Sequence, residues 1–174
     1  MDKVSVIIPT FNRFEYLLNT INFIKNQTYK NIEIIICDNN SDNKSNEKLY
    51  SSRLFKNKKI KIIRNKQNIG ILRNTIKVLE FANGEYFCWV SDDDWRSNKF
   101  IENLYKDFYA LGDGHMVFCR YREVEEGNLS ISHRLKHLNY FLLSSEKRII
   151  RLISFYLMDH ADGKANLFYS LMKL

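Results

Sequence analysis

From Val4 to Val90, short β-branched or aromatic runs alternate with segments whose apolar residues recur at helical spacing, and few folds satisfy that alternation. Val4-Ser5-Val6-Ile7-Ile8 reads as a strand stopped by Pro9, because proline removes a ladder donor and is tolerated where pairing ends. Leu17, Leu18, Ile21 and Ile24 mark a helix from Phe14 to Ile24. Ile32 to Cys37 is almost wholly apolar, the pattern of a strand covered on both faces in a parallel sheet. Ile60, Ile62 and Ile63 mark a third strand, and Tyr86 to Val90 a fourth. Between these two, Ile69, Leu72, Ile76 and Leu79 share one side of a helix from Ile69 to Phe81, with Gly84 just past its end. The repetition predicts an α/β fold, a mostly parallel central sheet flanked by helices, with right-handed crossovers. Ligands of such sheets bind at the carboxyl ends of the strands. Pro9-Thr10, Asp38 and Asp92-Asp93 all lie at those ends.

The second half carries weaker signals. Ser97 to Tyr109 reads as a helix capped by Ser97, with Phe100, Ile101, Leu104 and Phe108 as its apolar face. Met116 to Glu123 is a strand candidate, Glu125-Glu126-Gly127-Asn128 a turn, and Leu129 to His133 a strand pairing back. Ser144 or Ser145 caps a helix running to Leu157, and Lys164 to Tyr169 is a last strand.

Composition narrows the classes. A chain of 174 residues supports one domain with its own core. No apolar run reaches the roughly 18 residues that span a bilayer. Met1-Asp2-Lys3-Val4 lacks the features of a signal peptide, so a cytoplasmic location is expected. Cys37, Cys88 and Cys119 stand in separate apolar stretches without zinc or CxxC spacing, which predicts reduced, buried thiols. The net charge of +7 permits anionic partners. Its densest run, Lys56, Lys58, Lys59, Lys61, Arg64 and Lys66, reads as a solvated loop leading into a strand. With no zinc finger, RNP-type signature or basic zipper, no nucleic-acid partner is expected. Neither GxGxxG nor GxxxxGK[ST] follows the first strand, which removes the usual dinucleotide and P-loop chemistries.

Asp92-Asp93-Asp94 directly follows the Tyr86–Val90 run. Three adjacent carboxylates repel one another unless a cation sits among them. At the end of a buried strand they form a hard-oxygen site suited to Mg2+ or Mn2+, bridging naturally to a diphosphate. An acidic loop facing solvent is the alternative.

Four motifs occur in order: Val4-Ser5-Val6-Ile7-Ile8-Pro9-Thr10-Phe11-Asn12-Arg13, Cys37-Asp38-Asn39-Asn40-Ser41-Asp42, Asn68-Ile69-Gly70-Ile71-Leu72-Arg73-Asn74, and Gly84-Glu85-Tyr86 leading to Ser91-Asp92-Asp93-Asp94-Trp95. Together they resemble the N-terminal part of a family 2 glycosyltransferase with the GT-A fold, most closely over residues 3–109. The resemblance implies a nucleotide-sugar donor, usually UDP-linked, and a divalent metal, Mn2+ or Mg2+. It implies that Pro9, Thr10 and Arg13 line the nucleotide, that Asp38 receives the uracil ring, and that Asn68, Gly70 and Arg73 lie near base and ribose. An Asx turn also suits Asp38, and an exposed helix position also suits Arg73. The triplet corresponds to the family's DxD-like motif. Asp93 then matches the main metal ligand, Asp92 a contact to ribose or the outer coordination shell, and Asp94 a contact to the donor sugar. Asn40 stands where the family often has glycine, and asparagine tolerates a left-handed backbone better than other side chains.

On the same resemblance, residues 1–109 form the nucleotide-sugar-binding part. Residues 110–174 begin an acceptor-binding part of the same domain. The implied reaction transfers a sugar to an acceptor hydroxyl, with inversion, in bacterial surface polysaccharide or glycan synthesis. Inversion needs an Asp or Glu general base well after the DxD-like motif. Asn166-Leu167-Phe168-Tyr169-Ser170-Leu171-Met172 resembles the segment preceding that base, which places the base beyond Leu174. Asp159 and Asp162 are the late aspartates within the chain, and they also suit a polar loop. A nucleotide-sugar-binding fragment without the base is the alternative function. The residues from His133 to Leu157 mix basic and apolar side chains. They suit either peripheral contact with the inner membrane face, where lipid-linked acceptors reside, or a core helix with a solvated basic face.

Overall fold

The computed structural model describes residues 1–52, 57–93, 96–111, 117–118, 123–125, 128–130 and 170–173. Its elements run β1 (Val4–Thr10), α1 (Phe14–Lys25), β2 (Ile32–Asp38), α2 (Asn43–Ser51), β3 (Ile60–Arg64), α3 (Ile71–Lys77), a 3-10 turn (Val78–Phe81), β4 (Tyr86–Trp89) and α4 (Phe100–Leu111). β5 (Val117–Phe118), β6 (Glu123–Glu125), β7 (Asn128–Ser130) and β8 (Ser170–Lys173) follow. The main sheet has the order β3-β2-β1-β4-β8-β5. β3, β2, β1 and β4 are parallel, and β8 is antiparallel to both β4 and β5. β6 and β7 form a separate hairpin, Glu125 opposite Asn128, where a turn was expected. The expected helix to Leu157 and the expected strand from Lys164 to Tyr169 lie outside the described residues. The last described strand is β8 instead.

The parallel strands explain their own sequence. β1 is buried throughout, so an uninterrupted apolar run is what its two covered faces require. Val4, Val6 and Ile8 share the face that packs with Leu17, Ile21 and Ile24 of α1 and Ile101, Leu104 and Phe108 of α4. On the other face Phe87 and Trp89 meet edge to face at 4.9 Å, and the Trp89 indole donates to the Thr75 carbonyl at 3.0 Å. β1 does not stop at Pro9. Pairing with β4 ends at Ile7 opposite Trp89, and only β2 continues beside the proline, so its missing N–H is tolerated.

Three local expectations change, and one helix is new. The helix expected from Ile69 begins at Ile71, because Gly70 adopts φ 81° and donates its N–H to the Asn68 side chain at 2.9 Å. Its buried positions are Asn74 and Thr75, while Ile71 and Leu72 face solvent. Gly84 is no helix cap. A Cβ there would lie 2.7 Å from the Lys3 carbonyl and the Ser5 amide, so glycine permits close approach to β1. α2 carries almost no apolar signal. Asp42 caps it by accepting from the Ser45 amide at 2.8 Å, and Leu49 anchors it.

Cys37 and Cys88 are buried outside any disulfide, as expected, and burial pushes the Cys37 thiol up to about 11. Cys119 lies outside the described residues. No helix among the described residues is long and apolar enough to cross a membrane.

Glu33 ties β2 to the N-terminal half of β1. Its carboxylate accepts from Ser5 Oγ at 2.5 Å, the Asn83 amide at 2.7 Å and Lys3 Nζ at 2.7 Å. Burial pushes its carboxyl up, but Lys3, Ser5 and Asn83 outweigh that and hold it below the usual range. A lowered folded-state pKa contributes stability that is present above the unfolded pKa and lost as pH falls through the folded one. Glu33→Gln is therefore expected to cost about 1 kcal/mol at neutral pH. The difference should shrink below about pH 4. Urea unfolding at both pH values checks it, and a pH-independent difference contradicts it.

Candidate functional site

The strand order places the site. From β1 the chain crosses to β2 and β3 on one side, and returns to β4 on the other. The crevice at the carboxyl ends of β1 and β4 is therefore a topological switch point, where loops diverge and leave room for a ligand. Thr10 ends β1 on one side of this crevice, and Ser91-Asp92-Asp93 leaves β4 on the other.

Asp92 is buried against β1. Thr10 Oγ1 donates to its Oδ2 at 2.6 Å, and Thr20 Oγ1 of α1 donates to its backbone carbonyl at 3.0 Å. Asp93 turns outward, with its side chain 35% exposed. The Ser91 hydroxyl donates to Asp93 Oδ1. Nη1 of Arg13 bonds both carboxylates, Asp92 Oδ1 at 3.3 Å and Asp93 Oδ2. The two acids are thereby pushed in opposite directions. Burial raises the Asp92 carboxyl above the usual range, although Thr10 and Arg13 pull it back. Burial also raises Asp93, but there the Ser91 hydroxyl and Arg13 prevail and hold it below the usual range. Arg13 in turn grips its proton more firmly, mainly through its bond to Asp93.

The second cluster sits at the end of β2. Asp38 is fully buried. Its Oδ1 accepts from the Ser41 amide at 3.0 Å and from the Ser41 hydroxyl, three residues on, which closes the loop after β2. Its Oδ2 accepts from Arg64 Nη1 at 2.7 Å. Arg64 Nη2 continues to the Ser41 carbonyl at 2.8 Å and Asn40 Oδ1 at 3.2 Å. Asn40 adopts φ 66°, the left-handed geometry expected of it. Arg64 belongs to the basic run expected to be solvated, yet it is the counter-ion of a buried carboxylate.

The two clusters are joined. Thr10 and Asp38 are register partners, and the Asn39 amide donates to the Thr10 carbonyl at 2.9 Å. Asn12, at φ 55°, accepts from the Asp42 amide at 2.7 Å, while its own amide donates to Ser41 Oγ at 2.8 Å. The Asn39 side chain donates to Asn68 at 2.8 Å and accepts from the Ile69 amide at 3.0 Å, which fixes the loop ahead of Gly70. Buried Asn65 donates to both Asn39 at 3.0 Å and Asn74 at 2.7 Å, and Asn74 donates to the Cys37 carbonyl at 2.9 Å.

Pro9, Thr10, Arg13, Asp38, Asn68, Gly70, Asp92 and Asp93 thus share one edge of the sheet. Arg73 is exposed on α3. Asp94, Asp159 and Asp162 lie outside the described residues. Arg64, Asn39, Asn65, Asn74 and Thr20 are additions that no single-residue signal marked. The Asn39-Asn40 pair inside a predicted turn was the nearest hint.

Asp92 and Asp93 suit a hard divalent cation. Ionised, they offer only acceptor oxygens, and they already gather one cation, the guanidinium of Arg13. Among the described residues no cluster of three or more acidic, histidine or cysteine side chains is present. Two carboxylates suffice for Mg2+-like ions, which take their remaining ligands from phosphates and water.

A family model described as Glycosyl transferase family 2 matches residues 5–168. The chain is 29% identical over 122 residues to the amylovoran biosynthesis glycosyltransferase AmsB of Erwinia amylovora, covering 69% of this chain and 40% of AmsB. Among solved structures, it is similar to S. aureus TarS 1–349 in complex with UDP-GlcNAc, with TM-score 0.62 and 21% identity over 75% of this chain and 37% of that one. It is also similar to the mannosyltransferase PcManGT from Pyrobaculum calidifontis in complex with GDP-Man and Mn2+, with TM-score 0.59 and 19% identity over 68% of this chain and 35% of that one. The chain therefore spans about two fifths of the length of these proteins. The fold is that of the GT-A glycosyltransferases.

Proposed function

The chain belongs to glycosyl transferase family 2, and on that premise we propose that it binds a nucleotide sugar, a UDP-sugar by preference, for transfer to an acceptor hydroxyl. The supporting observation is the convergence of Thr10, Arg13, Asp92 and Asp93 at the β1–β4 crevice. The diphosphate lies in that crevice and the base extends toward the Asp38 loop. Asn68, Gly70 and exposed Arg73 border the base and ribose.

Asp38 has three bonds among its roughly four acceptor positions, which leaves one for a uracil imide N–H. Because that carboxylate is fully buried, the ring N–H reaches it only when the Ser41 loop or Arg64 shifts to admit it. Asp93 with Asp92 would hold Mn2+ or Mg2+, which supplies charge neutralisation at the leaving nucleoside diphosphate. Thr10 and Thr20 hold Asp92 against β1, so the acidic turn is preorganised. Transfer with inversion requires a general base on the acceptor side, to which no described residue is assigned. The similarity to AmsB, a glycosyltransferase of amylovoran biosynthesis, supports polysaccharide or glycan synthesis as the setting, with a glycan or lipid-linked acceptor.

A thermal-shift screen of nucleotide sugars tests the binding. With Mn2+ present and the matching donor at a hundred times its Kd, the melting temperature should rise by about 5–10 °C. No shift with any uridine or guanosine donor, in any metal, contradicts the proposal. Release of nucleoside diphosphate on adding an acceptor then separates transfer from binding alone.

A further inference from the structure

We propose that Arg13 is the resident counter-cation of the Asp92–Asp93 pair, that a divalent metal displaces it, and that the released guanidinium then takes the donor diphosphate. The inference rests on the metal-and-nucleotide reading of the crevice.

Four carboxylate oxygens are in play. Asp92 Oδ2 is held by Thr10 and Asp93 Oδ1 by Ser91. The remaining two, Asp92 Oδ1 and Asp93 Oδ2, both bond one nitrogen, Nη1 of Arg13. That nitrogen fills the position between the two carboxylates, which a cation chelated by both must occupy. The two hydroxyl donors can stay, since each carboxylate oxygen has a further lone pair. The guanidinium cannot, because it occupies the position itself and carries like charge.

Arg13 is free to leave. Its side chain is 49% exposed and belongs to the loop just ahead of α1. Its guanidinium also lies 5.7 Å from the ring centroid of Tyr16, in the first turn of α1, an exposed aromatic face beside the acids. Charge then decides where it goes. With Arg13 in place the pair carries one net negative charge, which repels a diphosphate. With a divalent cation in place the pair is neutral, and Arg13 is a free cation beside the crevice. Guanidinium matches phosphate oxygens in a planar fork. Metal alone must break two charge-assisted bonds, and diphosphate alone meets an Arg13 already spent on the acids. Each ligand removes the obstacle to the other, so their binding is positively coupled, and equally in both directions.

Direct Mn2+ titration of the whole chain tests this, read by the electron paramagnetic resonance signal of free Mn2+, with and without UDP. Arg13→Gln should bind Mn2+ about tenfold more tightly than the parent chain in the absence of UDP. UDP should tighten Mn2+ binding to that variant by about tenfold less than it does in the parent. Arg13→Lys keeps the charge on a shorter side chain that reaches the two acids less well, and should fall between. Lys25→Gln removes one charge from the far end of α1 and should leave Mn2+ affinity unchanged. If Arg13→Gln binds Mn2+ no tighter than the parent, or Lys25→Gln tightens it equally, the displacement is wrong while the metal site stands. If no form of the chain binds Mn2+ with or without UDP, the crevice is not a metal site and both readings fall.

Discussion

Asp93→Asn is expected to abolish the dependence of UDP binding on Mn2+ while leaving the fold intact. Asp93 is the outward acid of the pair, held ionised by Ser91 and Arg13. An amide keeps the shape but loses the charge and one anionic oxygen, and a hard cation loses its most accessible ligand. Loss of a hydrogen-bonded outer partner can already cost a metal site roughly 100-fold in affinity, and a direct ligand should cost at least that. The protein itself should notice little. Asp93 and Arg13 are both partly exposed, and such pairs contribute about 0–1 kcal/mol. Isothermal titration with UDP, in Mn2+ and in EDTA, measures the effect. Mn2+-dependent affinity retained in Asp93→Asn contradicts the assignment.

Arg64→Ala should act in the opposite way, on stability before binding. It leaves Asp38 with its Ser41 bonds but without a counter-ion, in a position with no solvent contact. Removing one partner of a buried pair costs about 3–5 kcal/mol. Arg64 is itself 28% exposed, so the lower end, about 3 kcal/mol, is expected. That corresponds to a fall of about 6–12 °C in melting temperature for a chain of this size. Arg64→Lys keeps the charge but not the fork to Ser41 and Asn40, and should lie between. A melting temperature unchanged in Arg64→Ala would mean that the Asp38 carboxylate is not held by this pair.

Much of the frame is visible in the residues. The strands at Val4, Ile32 and Tyr86 show because strands covered on both faces are almost wholly apolar, the edge strand β3 shows by Ile60, Ile62 and Ile63, and the helices at Phe14 and Phe100 show because each buries one stripe. α2 is invisible to the same logic, since only Leu49 commits it to the core. Strand order is not local information, so the switch point between β1 and β4 emerges only in three dimensions. The site divides in the same way. Asp92 and Asp93 stand out as adjacent like charges, and Asp38 as an acid directly after an apolar run. Their partners do not stand out. Arg64 lies 26 residues from Asp38, inside a lysine-rich run that resembles a solvated loop. Asn39, Asn65 and Asn74 become a buried relay only when β2, β3 and α3 bring them together. The buried side of α3 was misread for that reason, because the Asn74 amide is satisfied by the Cys37 carbonyl of β2 and the Thr75 hydroxyl by the Ile71 carbonyl of its own helix rather than by water.

On the proposed function, the acidic turn after β4 holds a divalent metal against a nucleoside diphosphate. Anomalous scattering at the manganese edge, from crystals grown with Mn2+ and UDP, tests it most directly. One strong peak is expected beside Asp92 and Asp93, in the position Arg13 now fills, with Arg13 turned from the acids onto the diphosphate. A manganese peak elsewhere, or UDP bound with Arg13 still between Asp92 and Asp93, would contradict it.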